Sequence, residues 1–572
     1  MSATPASLFA VRLLADLVSH GLTDIVLAPG ARSQALALAA LELEQRGLVS
    51  VHVRVDERAA AFLALGIGLE TRRPAAVLTT SGSAVANLHP AVLEAHHAGV
   101  PLLLLTADRP EELRGIGSNQ TTAQAGMFQP AVRLSLDEPA PTGETPEHRA
   151  GELATQAWAA AIGAEHGEGA GPVQLNLAFR DPLSGGLDVS TVEAIVAAAA
   201  DAAAERTVTV STLETLPLPR GPRTLVIAGD GAGPRAEELA HQGGWPLIAE
   251  ISSGSRFGRN LVPAYREVLR TAEFVTEVER IVVFGHPTLS REVPVLIAEA
   301  ADGVEVVVVR GAAGEDFNPG HRANIHVSDV SVESGETDMH WLGLWMRAGR
   351  DAHNAWLERY EAANPAAQAP NVELSRSSDV NDMRAFASGE LAAAKSPVTR
   401  ELLVDALWRV TWPHDRLVFG ASRLIRVADR TLGGKKITAF SNRGLAGIDG
   451  TISTGVGVAL ASGALTRVLL GDLAALHDAG GMLIGTLEAK PRIQVVVGND
   501  GGGSLFDSLE LAQQTDAHAI DRAFFTPHGV DFSALAKAYG WDFVQVSTAS
   551  ELERALTAAP DGPQLVEVLL AR

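Results

Sequence analysis

The sequence contains no cysteine, so disulfides, thiolate metal centres and cysteine nucleophiles are all excluded. It has no uninterrupted apolar run approaching the ~20 residues that a membrane span requires, which argues against an integral membrane segment and leaves monotopic attachment open. It also lacks a positive balance. The formal net charge is −22 and the pI about 5.2, which argues against a nucleic-acid-binding surface. The opening residues, MSATPASLFAVRLLADLVSHG, lack the basic leader of a signal peptide and read as an amphipathic helix, so a cytoplasmic location is expected. No short-period repeat is present. The acidic balance carries a further requirement: an anionic substrate has to be met by a local cluster of arginines.

At 572 residues the chain is too long for one core and fits about three domains of ~150–200 residues. In the first block, predicted strands at Thr23 to Ala28, Val51 to Val55, Ala75 to Thr79 and Pro101 to Leu105 run into Pro29-Gly30, Asp56-Glu57-Arg58, Thr80-Ser81-Gly82-Ser83 and Thr106-Ala107-Asp108-Arg109. A second block has them at Thr224 to Ile227, Pro246 to Ala249, Arg280 to Phe284 and Val304 to Val309. A third has them at Arg416 to Phe419, Lys436 to Phe440, Val468 to Leu470, Ile493 to Val497, Asp542 to Val546 and Leu565 to Leu569. Strands alternating with helices of ten or more residues define βαβ units. The expected fold class is therefore α/β, with three tandem domains of parallel sheets flanked by helices. The expected boundaries are 1–190, 191–361 and 398–572, with a linker at 362–397 that is rich in Ala, Pro, Ser and Asn. Val192 to Arg206 is Ala-rich and reads as a helical connector. The turn from Ala228 to Gly233 looks dinucleotide-like, although a short glycine turn between strand and helix is a weak signal. The segment from Gly285 to Arg291 is polar enough to face a ligand.

The densest chemistry lies between Gly471 and Phe506. One apolar run stops at Gly471-Asp472 and the next at Gly498-Asn499-Asp500, before three glycines. In a doubly wound sheet both stops face the ligand crevice, so Asp472 and Asn499 are expected side by side. Hard oxygen donors beside a glycine turn suit Mg2+ holding a diphosphate. Alone, a Gly-Asp after a strand is ordinarily a cap or turn. An Asn twenty-seven positions after the Asp, with Gly two further on, resembles the diphosphate signature of thiamine-diphosphate (ThDP) enzymes. That resemblance implies metal ligation by Asp472, Asn499 and the Gly501 carbonyl, beside Gly471 and Leu473. Leu473 stands where most of that family has Gly.

Val55-Asp56-Glu57-Arg58-Ala59-Ala60 and Thr80-Ser81-Gly82-Ser83 resemble two marks of the pyrimidine-binding domain of the same enzymes, which share a pyruvate-decarboxylase-like architecture. In an isolated triplet Glu57 reads as a surface ion pair. In a ThDP enzyme, a carboxyl on the pyrimidine N1′ favours the imino tautomer that removes the C2 proton. Ser81 and Gly82 are the accompanying cofactor-binding turn.

Leu27-Ala28-Pro29-Gly30-Ala31-Arg32-Ser33, Thr106-Ala107-Asp108-Arg109-Pro110, Ser118-Asn119-Gln120 and Ser441-Asn442-Arg443-Gly444 through Gly450 narrow the resemblance, as does Gly471-Asp472-Leu473. Together they resemble the synthases that make 2-succinyl-5-enolpyruvyl-6-hydroxy-3-cyclohexene-1-carboxylate in menaquinone biosynthesis. The resemblance implies a decarboxylating carboligation of 2-oxoglutarate with isochorismate that uses ThDP and Mg2+. It implies Glu57 as the catalytic acid and Ile448 as the prop for the bent cofactor. The implied substrate residues are Arg32, Arg109, Gln120, Arg291, Ser422, Arg426 and Arg443, with Leu505 or Phe506 as an apolar wall. Arginine suits bidentate carboxylate capture. The resemblance further implies a homodimer or homotetramer with active sites shared between chains. Two other readings stay open: an acetolactate-synthase-like enzyme or 2-oxo-acid decarboxylase, which handles small monoacids and needs fewer arginines, and a catalytically inactive ThDP-fold binding protein.

Overall fold

The computed structural model describes residues 3–164, 169–186, 189–204, 215–311, 315–368, 371–510 and 514–572. Short runs of Val, Ile and Leu, each stopped by Gly or a small polar residue, form parallel strands throughout. The first sheet holds β1 (Asp24–Leu27), β2 (Ser50–Val53), β3 (Ala75–Thr79), β4 (Leu102–Asp108), β5 (Leu134–Glu138) and β6 (Pro172–Ala178), in the order β2-β1-β3-β4-β6-β5. β7 (Thr215–Leu218) pairs with β13 (Asp329–Val332) beside the central sheet. That sheet contains β8 (Thr224–Ala228), β9 (Leu247–Ala249), β10 (Arg280–Phe284), β11 (Glu305–Val309) and β12 (Ile325–Val327), ordered β12-β11-β10-β8-β9. The last sheet holds β14 (Arg416–Phe419), β15 (Thr438–Ser441), β16 (Thr466–Gly471), β17 (Ile493–Asn499), β18 (Asp542–Val546) and β19 (Gln564–Leu569), ordered β15-β14-β16-β17-β19-β18.

Counted from its own first strand, the last sheet repeats the order of the first: second, first, third, fourth, sixth, fifth. The helices that follow the second strand of each, Glu57–Thr71 and Thr451–Ser462, pack against one another. Both are all but fully buried and rich in Gly and Ala, so their backbones approach closely. A Cβ on Gly66 would run into the Thr454 carbonyl, and one on Gly457 into the Leu63 carbonyl. One apolar cluster spans both sheets, with Phe62, Leu63 and Ile67 from the first and Ile452, Val456, Val468 and Trp541 from the third. Each such side chain removed from water stabilises the fold by about 1.5–3 kcal/mol. The first and third domains are therefore one packed unit.

Two stretches differ from the expectation. The Ala-rich segment forms a helix, Val189–Ala204, with Val192 in the first domain's core, so the 190/191 boundary falls inside an element packed on that domain. Residues 205 and 206 of that segment lie outside the described residues. The 362–397 stretch carries helices at Val372–Arg376 and Val380–Ala394. The side chains of Asn371 and Asp379 cap them, accepting from Leu374 N at 3.1 Å and Asn381 N at 2.6 Å. Within the turn from Ala228 to Gly233 the packing is tight at Gly229, where a Cβ would strike the His286–Pro287 backbone, and open at Gly231 and Gly233.

The helix crossing gives a direct prediction. Gly457→Ala is expected to destabilise the chain by about 1–3 kcal/mol through overpacking, read as a lowered urea midpoint. An unchanged midpoint would contradict the close approach.

Candidate active site

The register of the third sheet sets the first half of the site. β16 and β17 pair in parallel to the level of Gly471 and Gly498, so Asp472 and Asn499 leave adjacent strands together. Asp472 is 2% exposed. Its Oδ1 accepts from Leu473 N at 2.7 Å and its Oδ2 from Gly502 N at 2.8 Å, while His528 Nε2 stands 3.2 Å from Oδ2. Burial pushes its pKa up, and the nearby Asp500 adds to that; the amide bonds and His528 pull the other way. Asn499 is oriented from behind. Its Nδ2 donates to Glu567 Oε1 at 2.7 Å, and the other Glu567 oxygen accepts from Gln545 Nε2 at 2.8 Å. A carboxylate only accepts, so the Asn499 amide nitrogen faces Glu567 and its Oδ1 turns toward the glycine turn, where Gly501 N donates at 3.0 Å.

Gly501 has φ +80°, and nothing lies within 4 Å of where a Cβ would stand. The turn is thus left-handed and open. Asp472 supplies a charged oxygen and Asn499 a neutral one at the ends of adjacent strands, while the Gly501 carbonyl, on the opposite side of the peptide whose N–H meets Asp472, accepts from His528 N at 3.3 Å. That donor chemistry fits Mg2+, which takes one or two carboxylates and completes its shell with phosphate and water. Among the described residues no cluster of three or more His, Cys, Asp or Glu forms a rival metal site. Gly471 lies against Ser422, and Ile448 packs on the shared core beside the corner.

The second half sits on the first sheet. Glu57 opens its helix behind an Asp56 cap, which accepts from Arg58 N at 2.9 Å. It is half-buried, and its Oε2 accepts from Asn87 Nδ2 at 3.2 Å. Ser81, Gly82, Arg109 and Gln120 form one network at the ends of β3 and β4. Arg109 Nη1 donates to Ser81 Oγ and, at 2.7 Å, to the Gln120 carbonyl. Gln120 Nε2 donates to the Ser81 carbonyl at 3.0 Å. Arg109 is 8% exposed, and burial lowers its pKa, with Arg32 as a like-charged neighbour. Arg32 itself donates to the Phe179 carbonyl at 3.1 Å.

A second arginine group belongs to the third domain. Ser422 caps the Arg423–Thr431 helix, and Arg426 Nη1 donates to its carbonyl at 2.9 Å. Burial lowers the Arg426 pKa, helped by the positive charges of Arg443 and Arg266. Arg443 is 2% exposed. Its Nε and Nη2 donate to the Oγ1 and carbonyl of Thr288, at 2.9 and 3.0 Å, and its Nη1 is enclosed without a partner.

The expected residues therefore fall into two groups. Among the described residues, no hydrogen bond or ion pair joins Glu57, Arg32 or Arg109 to Asp472, Asn499 or Arg443 within the chain. Arg291 stands apart from both groups, its side chain 76% exposed and paired with Glu510 at 2.8 Å. Its position at the mouth of a surface helix, rather than at a buried strand end, explains the difference. Leu505 and Phe506 are both half-buried, and the Phe506 ring packs on Phe524 at 5.5 Å between centroids. Sequence reasoning missed Glu94, Glu250, Thr288, His528 and Glu567. Glu250 follows β9 directly, so the strand-end rule that found the others would have found it. Glu94 lies mid-helix, with nothing local to mark it.

This pairing of sheets and this corner define a thiamine-diphosphate enzyme. Residues 9–132 match the family model described as the N-terminal TPP binding domain of thiamine pyrophosphate enzymes, and residues 429–568 match the C-terminal one. The crystal structure of benzoylformate decarboxylase from Polynucleobacter necessarius shares the fold, with a TM-score of 0.64 at 17% identity over 100% of this chain and 99% of that one. Relatives at higher identity narrow the class. The 2-succinyl-5-enolpyruvyl-6-hydroxy-3-cyclohexene-1-carboxylate synthase of Leifsonia xyli is 54% identical over 99% of this chain and 97% of its own. That of Clavibacter michiganensis is 53% identical over the same shares, and that of Kineococcus radiotolerans 44% over 99% and 96%. The chain belongs to this synthase family.

Proposed function

We propose that this protein joins 2-oxoglutarate to isochorismate with loss of CO2, using ThDP and Mg2+, to give 2-succinyl-5-enolpyruvyl-6-hydroxy-3-cyclohexene-1-carboxylate for menaquinone synthesis. The observation that carries the reading is Arg443: a buried guanidinium with two nitrogens fixed on Thr288 and a third enclosed without an acceptor. An unpaired buried donor costs about 1–3 kcal/mol, and a substrate carboxylate removes that cost. Arg109, buried, and Arg426, half-buried, add further cations with depressed pKa values, a provision that small monoacid substrates do not need.

Asp472, Asn499 and Gly501 hold the metal and, through it, the diphosphate. When bound, ThDP supplies the nucleophilic carbon and the electron sink for decarboxylation. Glu57 would hold a proton facing the pyrimidine of the bound cofactor, and Asn87 keeps its carboxyl oriented. Ser81, Gly82 and Ile448 would border the bound cofactor. Arg32, Arg109 and Gln120 face one substrate face, and Ser422, Arg426 and Arg443 the other, with Leu505 or Phe506 excluding water. Fixing two acids in reacting geometry is the protein's main contribution.

The two groups meet across a homodimer, Glu57 of one chain with Asp472 of its partner. The apolar side chain of Val55, 70% exposed two residues before Glu57, supports this. Glu57→Gln and Asp472→Asn chains, each inactive alone, are expected to regain part of the activity when mixed. No recovery in mixtures shown by sedimentation to exchange subunits would sink the shared site.

Mass spectrometry of a reaction with isochorismate and 2-oxoglutarate is expected to show the coupled product. Single replacement of Arg109, Arg426 or Arg443 by Ala is expected to lower kcat/KM by about 2–4 kcal/mol while leaving ThDP affinity unchanged. Preference for pyruvate over 2-oxoglutarate would overturn the assignment in favour of an acetolactate-synthase-like enzyme.

A further inference from the structure

Glu250 has no exposed surface, and both of its oxygens are spent on one loop. Oε2 accepts from Thr288 N at 3.0 Å and Oε1 from Leu289 N at 2.7 Å. Two consecutive amides gripped by one carboxylate fix the loop where it leaves β10, and with it Thr288. Thr288 in turn presents its Oγ1 and carbonyl to Nε and Nη2 of Arg443. The guanidinium plane is thereby set from the central domain, and only Nη1 remains for a ligand. The backbone of the same arginine is held from the other side, where Glu94 of the first domain accepts from Gly444 N at 2.7 Å and Leu445 N at 2.9 Å.

We propose that Glu250 is a positioning residue for substrate capture: acting through Thr288, it aims the free Nη1 of Arg443 at a substrate carboxylate. The proposal rests on the reading of Arg443 as a substrate contact. Its physical basis is the cost of the arrangement. A fully buried carboxyl carries a desolvation cost, and Asp429 beside it adds like charge. Two backbone amides alone are satisfied as well by a neutral oxygen. Burial and Asp429 push the Glu250 pKa up, with the two amides and Arg443 pulling only partly the other way, so what the anchor provides is geometric: two fixed oxygens make the aim of the cation behind Thr288 rigid. A donor in a substrate site that is loose by about 1 Å loses much of its effect. The central domain thus contributes to the site without touching substrate.

The test uses the full-length holoenzyme with ThDP and Mg2+. Glu250→Gln leaves one acceptor oxygen and turns an NH2 on the second amide. Thr288→Val keeps the shape and deletes only the acceptor of Nε. Both are expected to raise KM for one of the two acids about tenfold, with kcat within about threefold and ThDP affinity unchanged. In an Arg443→Ala background, Glu250→Gln is expected to add less than about twofold. If Glu250→Gln does not fold, Thr288→Val and its double variant with Arg443→Ala carry the same test. Unchanged KM in the variants of an active parent overturns the positioning role alone. So does the full loss recurring in the Arg443→Ala background. A parent inactive on both acids removes the functional reading, and this inference with it.

Discussion

The parallel pairing of β16 with β17 is the constraint on which the rest depends. It ends at Gly471 and Gly498, and that level puts a charged and a neutral oxygen next to each other at the mouth of the sheet. One residue of slip would turn both side chains to opposite faces. Glu567 and Gln545 exist, in this account, to keep the Asn499 oxygen pointed at the same place. The glycine turn then closes on Asp472 through Gly502, so carboxylate and turn hold one another.

The repeated strand order of the first and third sheets explains how a second half-site arises without a second invention. Equivalent crevices lie at β1/β3 and β14/β16, and each carries polar residues at its strand ends. The crossing of the two Gly-rich helices locks these domains into one unit. A net charge of −22 repels anionic substrates at long range. Screening over ~8 Å at physiological salt confines the remedy to the site itself, where Arg109 and Arg443 are buried and Arg426 half-buried close to the crevices. The central sheet has a small crevice of its own at its strand ends, lined by Asp230, Gly231, His286 and Asp316 together with Arg443. It also contributes Glu250 and Thr288.

Much of this was legible in the sequence because strands and site residues share one signal, an apolar run that stops at a polar residue. Ala75–Thr79, Arg280–Phe284, Arg416–Phe419 and Asp542–Val546 were readable to the residue. β6 was missed because Gln174 and Asn176 interrupt its apolar run. Both are fully buried, and they are satisfied by Gln124, Thr106, Asp108 and Asp137, partners distant in sequence. The helices inside the expected linker rest on local caps that composition hides. That Asp472 and Asn499 leave adjacent strands was readable by spacing, whereas the arginines were readable only through the resemblance. Glu94 was readable by neither, because it bonds residues 350 positions away. Arg291 lies at the surface, paired with Glu510, because a polar strand-end loop can deliver its last residue there.

Calorimetric titration of ThDP into the parent and the Asp472→Asn variant, at several Mg2+ concentrations, tests the central corner most directly. The variant keeps the shape and one acceptor but loses the charge on the metal. The parent is expected to bind ThDP with an affinity that rises with Mg2+, and Asp472→Asn to lose both the affinity and the dependence while retaining its urea midpoint. Equal, Mg2+-dependent binding in the two proteins would contradict the account.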